Sequence, residues 1–216
     1  MKCADGSLLL YAVTDGADGL EAKVAEAISG GATIIQLRVK DMPERAFAKL
    51  ALRLLKITRA QAVPLIINDS LRVALASGAE GLHIGQDDGN AAEMRRRLGP
   101  DKILGVSVQT VEQAVRAEAD GADYLGVGAV FPTATKNDAS SVTMETLTAI
   151  CAAVRLPVVA IGGISALNAR QLTGSGIAGI AVVSALFGGT GGIRGNDRIR
   201  QAAAELRKLA AEVCAR

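Results

Sequence analysis

Short apolar stretches alternate with amphipathic stretches eight times along this chain of 216 residues. The apolar stretches are rich in Val, Ile and Leu and alternate little with polar residues, as is typical of parallel strands covered on both faces. Glycines follow most of the amphipathic stretches, where helices commonly end. The pattern therefore predicts eight strand–helix units. The predicted strands span residues 8–13, 33–37, 64–67, 81–84, 102–106, 124–127, 157–161 and 179–183.

The predicted helices lie between these strands, and three of them carry capping signals. Thr110 and Gln113 have the spacing of a capping box. Asp41 and Glu44 have the same spacing, and Ser165 is suited to cap the seventh helix. The predicted helices span residues 19–29, 43–60, 71–77, 90–98, 111–119, 144–154, 166–173 and 197–215.

Length and composition predict one domain over residues 1–216. Such a length suits a (β/α) barrel, which often has about 250 residues. Hydrophobic residues make up 50% of the chain but aromatic residues only 2%, so Ala, Val, Ile and Leu must fill the core. The predicted class is α/β, as a single-domain (β/α)8 TIM barrel, and an open doubly wound sheet is the alternative.

The charge distribution argues against several kinds of partner. The chain has 24 Lys and Arg against 22 Asp and Glu, interleaved without a basic stripe, so we expect no nucleic acid partner. No apolar run approaches the ~20 residues of a membrane span, and the run at residues 8–11 is too short for a signal peptide, so we expect no membrane partner. A homo-oligomer stays open.

The cysteines indicate a reducing compartment. Cys3, Cys151 and Cys214 are scattered, odd in number and outside any Cys-x-x-Cys pair. Neither a disulfide framework nor a zinc site is indicated. A cytoplasmic location is therefore expected.

Polar residues gather where the predicted strands end, the edge at which barrels carry their chemistry. Asp69 and Asp88 follow adjacent strands and can converge among cations. One or two carboxylates, completed by phosphate oxygens and water, suit Mg²⁺ holding a pyrophosphate. For any one of these polar residues taken alone, the alternative is a salt-bridged residue at the rim. That alternative does not explain why polar residues follow five strand ends together. The other polar rim residues are Gln36, Arg38, Lys40, Asn68, Ser107, Thr133, Thr135, Lys136 and Ser184, with Gly163 at the end of the seventh strand.

The segment that follows the sixth strand has the composition of a phosphate-binding loop. Pro132 stops the strand, and Thr133, Thr135 and Lys136 then offer two hydroxyls and a mobile cation. A polar turn with a solvated lysine is the alternative. The glycine-rich segment 188–195 matches neither nucleotide-binding fingerprint and is read as a flexible lead-in to the last helix.

His83, the only histidine, lies inside a strand. A hydrogen-bonded core or rim histidine is expected rather than a catalytic one. No histidine, cysteine or serine dyad for nucleophilic catalysis is visible in the sequence.

The chain resembles the thiamine-phosphate synthase family along almost its whole length and in the same order. The resemblance implies a TIM barrel that joins 4-amino-5-hydroxymethyl-2-methylpyrimidine diphosphate and thiazole phosphate into thiamine phosphate, releasing diphosphate. The motifs that carry it are Gln36-Leu37-Arg38-x-Lys40, Asn68-Asp69, His83-Ile84-Gly85-Gln86-x-Asp88, Gly105-Val106-Ser107, Phe131-Pro132-Thr133-x-Thr135-Lys136 and Ile161-Gly162-Gly163-Ile164.

The resemblance also implies roles for individual residues, with Asp69 and Asp88 as Mg²⁺ ligands and Arg38, Lys40 and Lys136 as catalytic cations. It implies a dissociative reaction, in which diphosphate leaves before the thiazole nitrogen captures a pyrimidine-stabilised cation. The implied pyrimidine-diphosphate contacts are Gln36, Arg38, Lys40, Asn68, Ser107 and Lys136, and the implied thiazole-phosphate contacts are Thr133, Thr135, Gly163, Val183 and Ser184.

Three other functions are alternatives to this one. A thiazole tautomerase needs a proton shuttle and no diphosphate site, and a sugar-phosphate isomerase needs a placed acid/base pair that the sequence does not show. A non-catalytic barrel that binds thiamine phosphates is the alternative outside enzymes. The expected partners are therefore small phosphorylated substrates.

Overall fold

The computed structural model describes residues 6–16, 18–133, 142–188 and 193–215, with backbone alone for 193–196. Its eight strands form a closed parallel barrel in chain order, and the eighth strand pairs with the first. The predicted (β/α)8 TIM barrel is therefore confirmed. The strands are β1 Leu10–Val13, β2 Ile34–Leu37, β3 Leu65–Asn68, β4 Gly81–Ile84, β5 Ile103–Val108, β6 Tyr124–Val127, β7 Val158–Ile161 and β8 Gly179–Val182.

Helices surround the barrel between the strands. Thr110 caps its helix as predicted, since its hydroxyl accepts a hydrogen bond from the Gln113 N–H at 3.2 Å. The α-helices are α1 Leu20–Ser29, α2 Glu44–Ala60, α3 Leu71–Ser77, α4 Ala91–Leu98, α5 Val111–Ala119, α6 Met144–Ala153, α7 Ser184–Phe187 and α8 Ile193–Cys214. Among the described residues, none of these helices is both long and apolar enough to cross a membrane.

Three local predictions were wrong. Pro43, not Asp41, precedes α2, and no side chain caps that helix. Only a 3₁₀ helix, Ala169–Leu172, forms where an α-helix was predicted after β7, and Asn168 rather than Ser165 precedes it. The Asn168 side chain explains this, because it bonds the Gly163 carbonyl and the Ser165 N–H, both at 2.8 Å, and so holds a loop.

The last part of the chain also differs from expectation. The short helix α7 begins at Ser184, directly after β8, and was not predicted. Helix α8 begins at Ile193, four residues earlier than expected, so the glycine-rich segment is partly helical. Residues 189–192 of that segment lie outside the described residues.

The core has two parts, separated by the wall of the barrel. The larger part packs between the strands and the helices and is almost wholly aliphatic. The smaller part fills the barrel interior and contains both tyrosines, Tyr11 and Tyr124. Side chains of successive strand residues point to opposite faces, so each strand serves both parts and shows little sequence alternation.

Two acidic residues tie the amino-terminal ends of the strands together. The Asp123 carboxylate accepts a hydrogen bond from the Leu104 N–H at 2.8 Å and pairs with Arg95. Glu80 does the same two units earlier, accepting from the Leu65 N–H at 3.0 Å and pairing with Arg59. Each carboxylate thus satisfies a backbone donor at the start of a strand and fixes a helix beside it.

Replacing Asp123 by alanine is expected to lower the free energy of unfolding by about 2–3 kcal/mol, because it removes the charged partner of a mostly buried arginine and the hydrogen-bond acceptor of a backbone N–H. The side chains of Arg95 and Asp123 are 17% and 18% exposed, whereas those of Arg59 and Glu80 are 55% and 30% exposed. Glu80→Ala should therefore cost less, about 1 kcal/mol.

Denaturant unfolding of both variants, with Glu93→Ala as a surface-pair control, measures this order. Glu93 pairs with Arg97 in the same helix at 3.5 Å, and both side chains are half exposed. An Asp123→Ala variant as stable as the Glu93→Ala variant would contradict the structural role.

Candidate active site

Asp69 and Asp88 come together at the rim formed by the carboxyl ends of the strands. Asp69 follows β3 with a left-handed backbone (φ 62°), and its N–H donates to the His83 carbonyl at 2.8 Å. Asn68 Nδ2 donates to one Asp69 carboxylate oxygen at 2.5 Å. The Asp88 carboxylate accepts from the Gly85 N–H at 2.7 Å. Loops from adjacent strands therefore hold both carboxyls in place.

The electrostatics of this pair favour a cation. Partial removal from water and the neighbouring Asp88 carboxyl together raise the pKa of Asp69 to about 7. The Arg38 guanidinium and the Asn68 amide act in the opposite direction but do not compensate. A divalent ion between the two carboxyls would relieve their repulsion.

These residues fit Mg²⁺ bound partly by its substrate. No group of three or more acidic, histidine or cysteine side chains suited to a metal occurs among the described residues. Mg²⁺ needs only one or two carboxylates when phosphate oxygens and water complete its shell. The donor set is therefore too small for a closed protein cage but sufficient for a metal–diphosphate complex.

Arg38 is anchored beside the acidic pair through its backbone. The hydroxyl of Thr14, which is fully buried, accepts from the Arg38 N–H and donates to the Arg38 carbonyl, both at 2.9 Å. The Arg38 side chain is half-buried and acts electrostatically on Asp69. Lys40, two residues further on, is exposed. A guanidinium on an anchored backbone and an exposed ammonium thus lie on the same side of the rim.

A line of polar side chains crosses the barrel interior beneath the rim. Gln36 Nε2 donates to the Tyr11 hydroxyl at 2.9 Å, and the Tyr11 and Tyr124 hydroxyl oxygens are 2.6 Å apart. His83 Nδ1 lies 2.8 Å from the Tyr124 hydroxyl, and its Nε2 lies 2.9 Å from the Ser107 hydroxyl. We call these five residues the interior hydrogen-bond chain. His83 is thus a hydrogen-bonded core residue, as predicted.

The opposite side of the rim is formed by backbone and small side chains. Gly163 has φ 65°, and a Cβ built there would lie 2.4 Å from the Pro132 carbonyl oxygen, so a glycine is required. Val183 directly precedes α7, and Ser184 is its first residue and exposed. The half-buried Thr133 belongs to the loop after β6. No charged side chain is among these four residues.

The structure brings together most of the predicted site residues. Gln36, Asn68, Asp69, Asp88 and Ser107 lie at the rim or directly beneath it. Thr135 and Lys136 lie outside the described residues. Tyr11 and Tyr124 were missed, because a tyrosine in an apolar strand looks like an ordinary core residue. The only available signal was their rarity, since the chain has two tyrosines and no tryptophan.

The model of the family described as thiamine monophosphate synthase matches residues 10–186. The chain belongs to this family. Two relatives, both named thiamine-phosphate synthase, are similar along most of their length. The protein of Ruminiclostridium cellulolyticum is 52% identical over 182 residues, covering 82% of this chain and 87% of the relative. That of Clostridium tetani is 50% identical over 184 residues, covering 83% and 88%.

A solved structure agrees with this membership. The thiamine phosphate pyrophosphorylase of Pyrococcus furiosus is 40% identical, with a TM-score of 0.86, and the similarity covers 97% of this chain and 98% of that one. The family and the function predicted from sequence motifs, synthesis of thiamine phosphate in thiamine biosynthesis, are therefore confirmed. The roles of individual residues and the need for Mg²⁺ stay predictions.

Proposed function

We propose that this chain forms thiamine phosphate by a Mg²⁺-dependent, dissociative transfer of the pyrimidinylmethyl group. The bond between the methylene carbon and the diphosphate oxygen breaks, and its electron pair leaves with diphosphate. The lone pair of the thiazole nitrogen then forms the new carbon–nitrogen bond. The convergence of Asp69 and Asp88 beside Arg38 at one rim is the observation that carries this proposal.

Each part of the rim has a task in this reaction. Asp69 and Asp88 would hold Mg²⁺, which when bound neutralises the charge of the departing diphosphate. Arg38 and Lys40 bind diphosphate oxygens, with Lys136 as a third cation in our proposal, although it lies outside the described residues. Gln36, Asn68 and Ser107 offer neutral hydrogen-bonding groups to the same substrate. This is electrostatic catalysis aimed at a leaving group, and it requires no protein nucleophile.

The thiazole phosphate is proposed to bind on the uncharged side of the rim. The Gly163 backbone, the Ser184 hydroxyl and the Thr133 hydroxyl supply neutral donors, with Val183 beside the ring. Thr135, also outside the described residues, completes this set. A monophosphate carries less charge than a diphosphate with its metal, so neutral donors can hold it. The two substrates then face each other across the rim, as the reaction requires.

The decisive experiment mixes both phosphorylated substrates with the full chain and Mg²⁺. We expect thiamine phosphate and diphosphate in equal amounts, and neither product when a chelator removes the metal. A non-catalytic binding protein would bind thiamine phosphate but form none. A tautomerase would convert the thiazole precursor without any pyrimidine diphosphate.

An asymmetric effect on the two Michaelis constants is expected from variants on opposite sides of the rim. Ser184→Ala should raise the KM for thiazole phosphate about tenfold, because it removes a hydrogen bond to a charged phosphate. Lys40→Ala should instead raise the KM for the pyrimidine diphosphate by a similar factor. Kinetics with one substrate varied at a time measure both constants. A Ser184→Ala variant impaired only toward the pyrimidine diphosphate would overturn the assignment.

A cytoplasmic location is also part of this proposal. The described cysteines, Cys151 and Cys214, are free thiols. Burial raises the pKa of each to about 11, which keeps both protonated and unreactive. Such thiols suit a reducing compartment, where the phosphorylated substrates would also be retained.

A further inference from the structure

The interior hydrogen-bond chain connects two proposed substrate contacts, Gln36 and Ser107, through three residues with no assigned role. Tyr11, Tyr124 and His83 are 2%, 0% and 8% exposed. Each polar group costs free energy in such surroundings unless it is paired, so five linked groups in an otherwise aliphatic interior need an explanation.

Glycines on two strands leave room in the barrel for the interior hydrogen-bond chain. In the strand register, Gly105 lies between His83 on β4 and Tyr124 on β6. A Cβ on Gly105 would lie 2.3 Å from the Tyr124 hydroxyl oxygen and 2.5 Å from His83 Nδ1. A Cβ on Gly126 would also lie close to the His83 ring, at 3.1 Å from Cε1. Two strands therefore carry glycine where the polar groups meet.

The hydrogen bonds of this chain are coupled in direction. Gln36 donates to Tyr11, so the Tyr11 proton is available for the 2.6 Å contact with Tyr124. If Tyr11 donates there, the Tyr124 oxygen already accepts a hydrogen bond, and within this hydrogen-bond chain its own buried proton is paired by donating to His83 Nδ1. An unprotonated Nδ1 leaves the proton of the neutral ring on Nε2, which then donates to Ser107.

We propose that Tyr11, Tyr124 and His83 are positioning residues that fix the direction of hydrogen bonding at Gln36 and Ser107. The direction begins at the Gln36 amide and ends at the Ser107 hydroxyl. Because Ser107 accepts from His83, its own proton is available to an acceptor at the rim. The oxygens of a diphosphate can only accept, so this direction presents them with a donor.

This inference rests on the proposed function for its substrate, but its physical content is the tautomer of His83. The opposite direction would place the ring proton on Nδ1 and turn the Ser107 proton inward. An anionic substrate would then face oxygen lone pairs at Ser107. The two directions therefore differ in one observable atom, the protonated ring nitrogen.

The single histidine makes this observable directly. We propose to label histidine with ¹⁵N in the full chain and record two-bond ¹H–¹⁵N correlations without substrates. The expected result is a neutral ring with the proton on Nε2 and with Nδ1 shifted downfield. A ring protonated on Nδ1, or on both nitrogens, would overturn the proposal.

Two phenylalanine variants test how the direction is maintained. Tyr124→Phe removes the donor to Nδ1, so the Nε2–H tautomer should lose its dominance and both tautomers should appear. Tyr11→Phe removes the donor to the Tyr124 oxygen, which can then accept from Nδ1–H instead, so the Nε2–H tautomer should lose part of its dominance. An unchanged tautomer in Tyr124→Phe would contradict the coupling. Both variants keep the aromatic ring that fills the interior, which limits the effect on folding.

Activity supplies an independent readout of the same coupling. Tyr124→Phe should raise the KM for the pyrimidine diphosphate about tenfold, because a factor of this size corresponds to the loss of one hydrogen bond. The KM for thiazole phosphate should not change. Ser175→Ala is the matched control, because Ser175 is 2% exposed and donates to the Leu172 carbonyl at 2.7 Å, away from the interior chain. It should lower stability without changing either the tautomer or the KM values.

The two proposals fail separately. A wild-type chain that shows the Nε2–H tautomer but forms no thiamine phosphate would refute the proposed function and leave the hydrogen-bond direction standing. A chain that forms thiamine phosphate while its His83 carries the proton on Nδ1 would refute the direction alone.

Discussion

Replacing either Asp69 or Asp88 by alanine is expected to reduce turnover at least a hundredfold while leaving the binding of thiazole phosphate nearly unchanged. The carboxylates are proposed to hold the metal that neutralises the departing diphosphate, a contribution worth several kcal/mol in the transition state. The thiazole phosphate is proposed to bind on the other side of the rim, through neutral donors. Steady-state turnover at several Mg²⁺ concentrations, together with thiazole-phosphate titration, measures both effects.

Asp87→Ala is the matched control. Asp87 is an exposed neighbour of Asp88 in the same loop, whereas the Asp88 carboxylate is fixed by the Gly85 N–H. The Asp87 variant should retain near-normal turnover. Near-normal turnover of the Asp69 or Asp88 variant at low Mg²⁺ would show that the residue is not a ligand.

A stability measurement separates loss of the metal site from loss of the fold. The pKa of Asp69 is raised to about 7, so the folded chain binds a proton more tightly than the unfolded chain. The associated stabilisation is complete below the ordinary carboxyl pKa, falls as the pH rises, and is lost above about 7. Without metal at pH 8, Asp69→Asn should therefore unfold at a higher temperature than the unmodified chain, although it is less active.

The fold was predictable because each unit repeats the same physical pattern. Eight aliphatic strands without alternation can be covered on both faces only in a parallel sheet with helices around it. Strand bounds agree with prediction within about two residues. The errors fall where a single side chain decides the backbone, as Asn168 does in the loop before the 3₁₀ helix. The four-residue helix α7 is too short to show helical periodicity.

The candidate site was predictable where its residues follow strand ends, and not where they lie inside the barrel. Asp69 and Asp88 were expected to converge, since the ends of adjacent parallel strands meet at one edge. The contact between Tyr11 and Tyr124 joins residues 113 positions apart. It depends on closure of the barrel and on Gly105, which leaves space for the Tyr124 hydroxyl. The need for a glycine there cannot be read from the sequence until its spatial neighbours are known.

Arg38→Lys is expected to lower kcat/KM for the pyrimidine diphosphate about a hundredfold despite keeping the positive charge. The Thr14 hydroxyl fixes the backbone of Arg38 on both its N–H and its carbonyl, so the side chain leaves a rigid point beside the acidic pair. A guanidinium so placed can donate two parallel hydrogen bonds to phosphate, which an ammonium cannot reproduce. Loss of one charged hydrogen bond and of its geometry accounts for this factor.

Arg53→Lys is the control for this substitution. Arg53 pairs with Glu21 at 2.5 Å on the outer surface of α2, where both side chains reach solvent. Its replacement should change kcat/KM less than twofold, since exposed ion pairs contribute little. If Arg38→Lys were as active as the control, net charge alone would matter at this position. If instead it lost activity equally toward both substrates, the guanidinium would organise the whole rim, and its assignment to the diphosphate would be wrong.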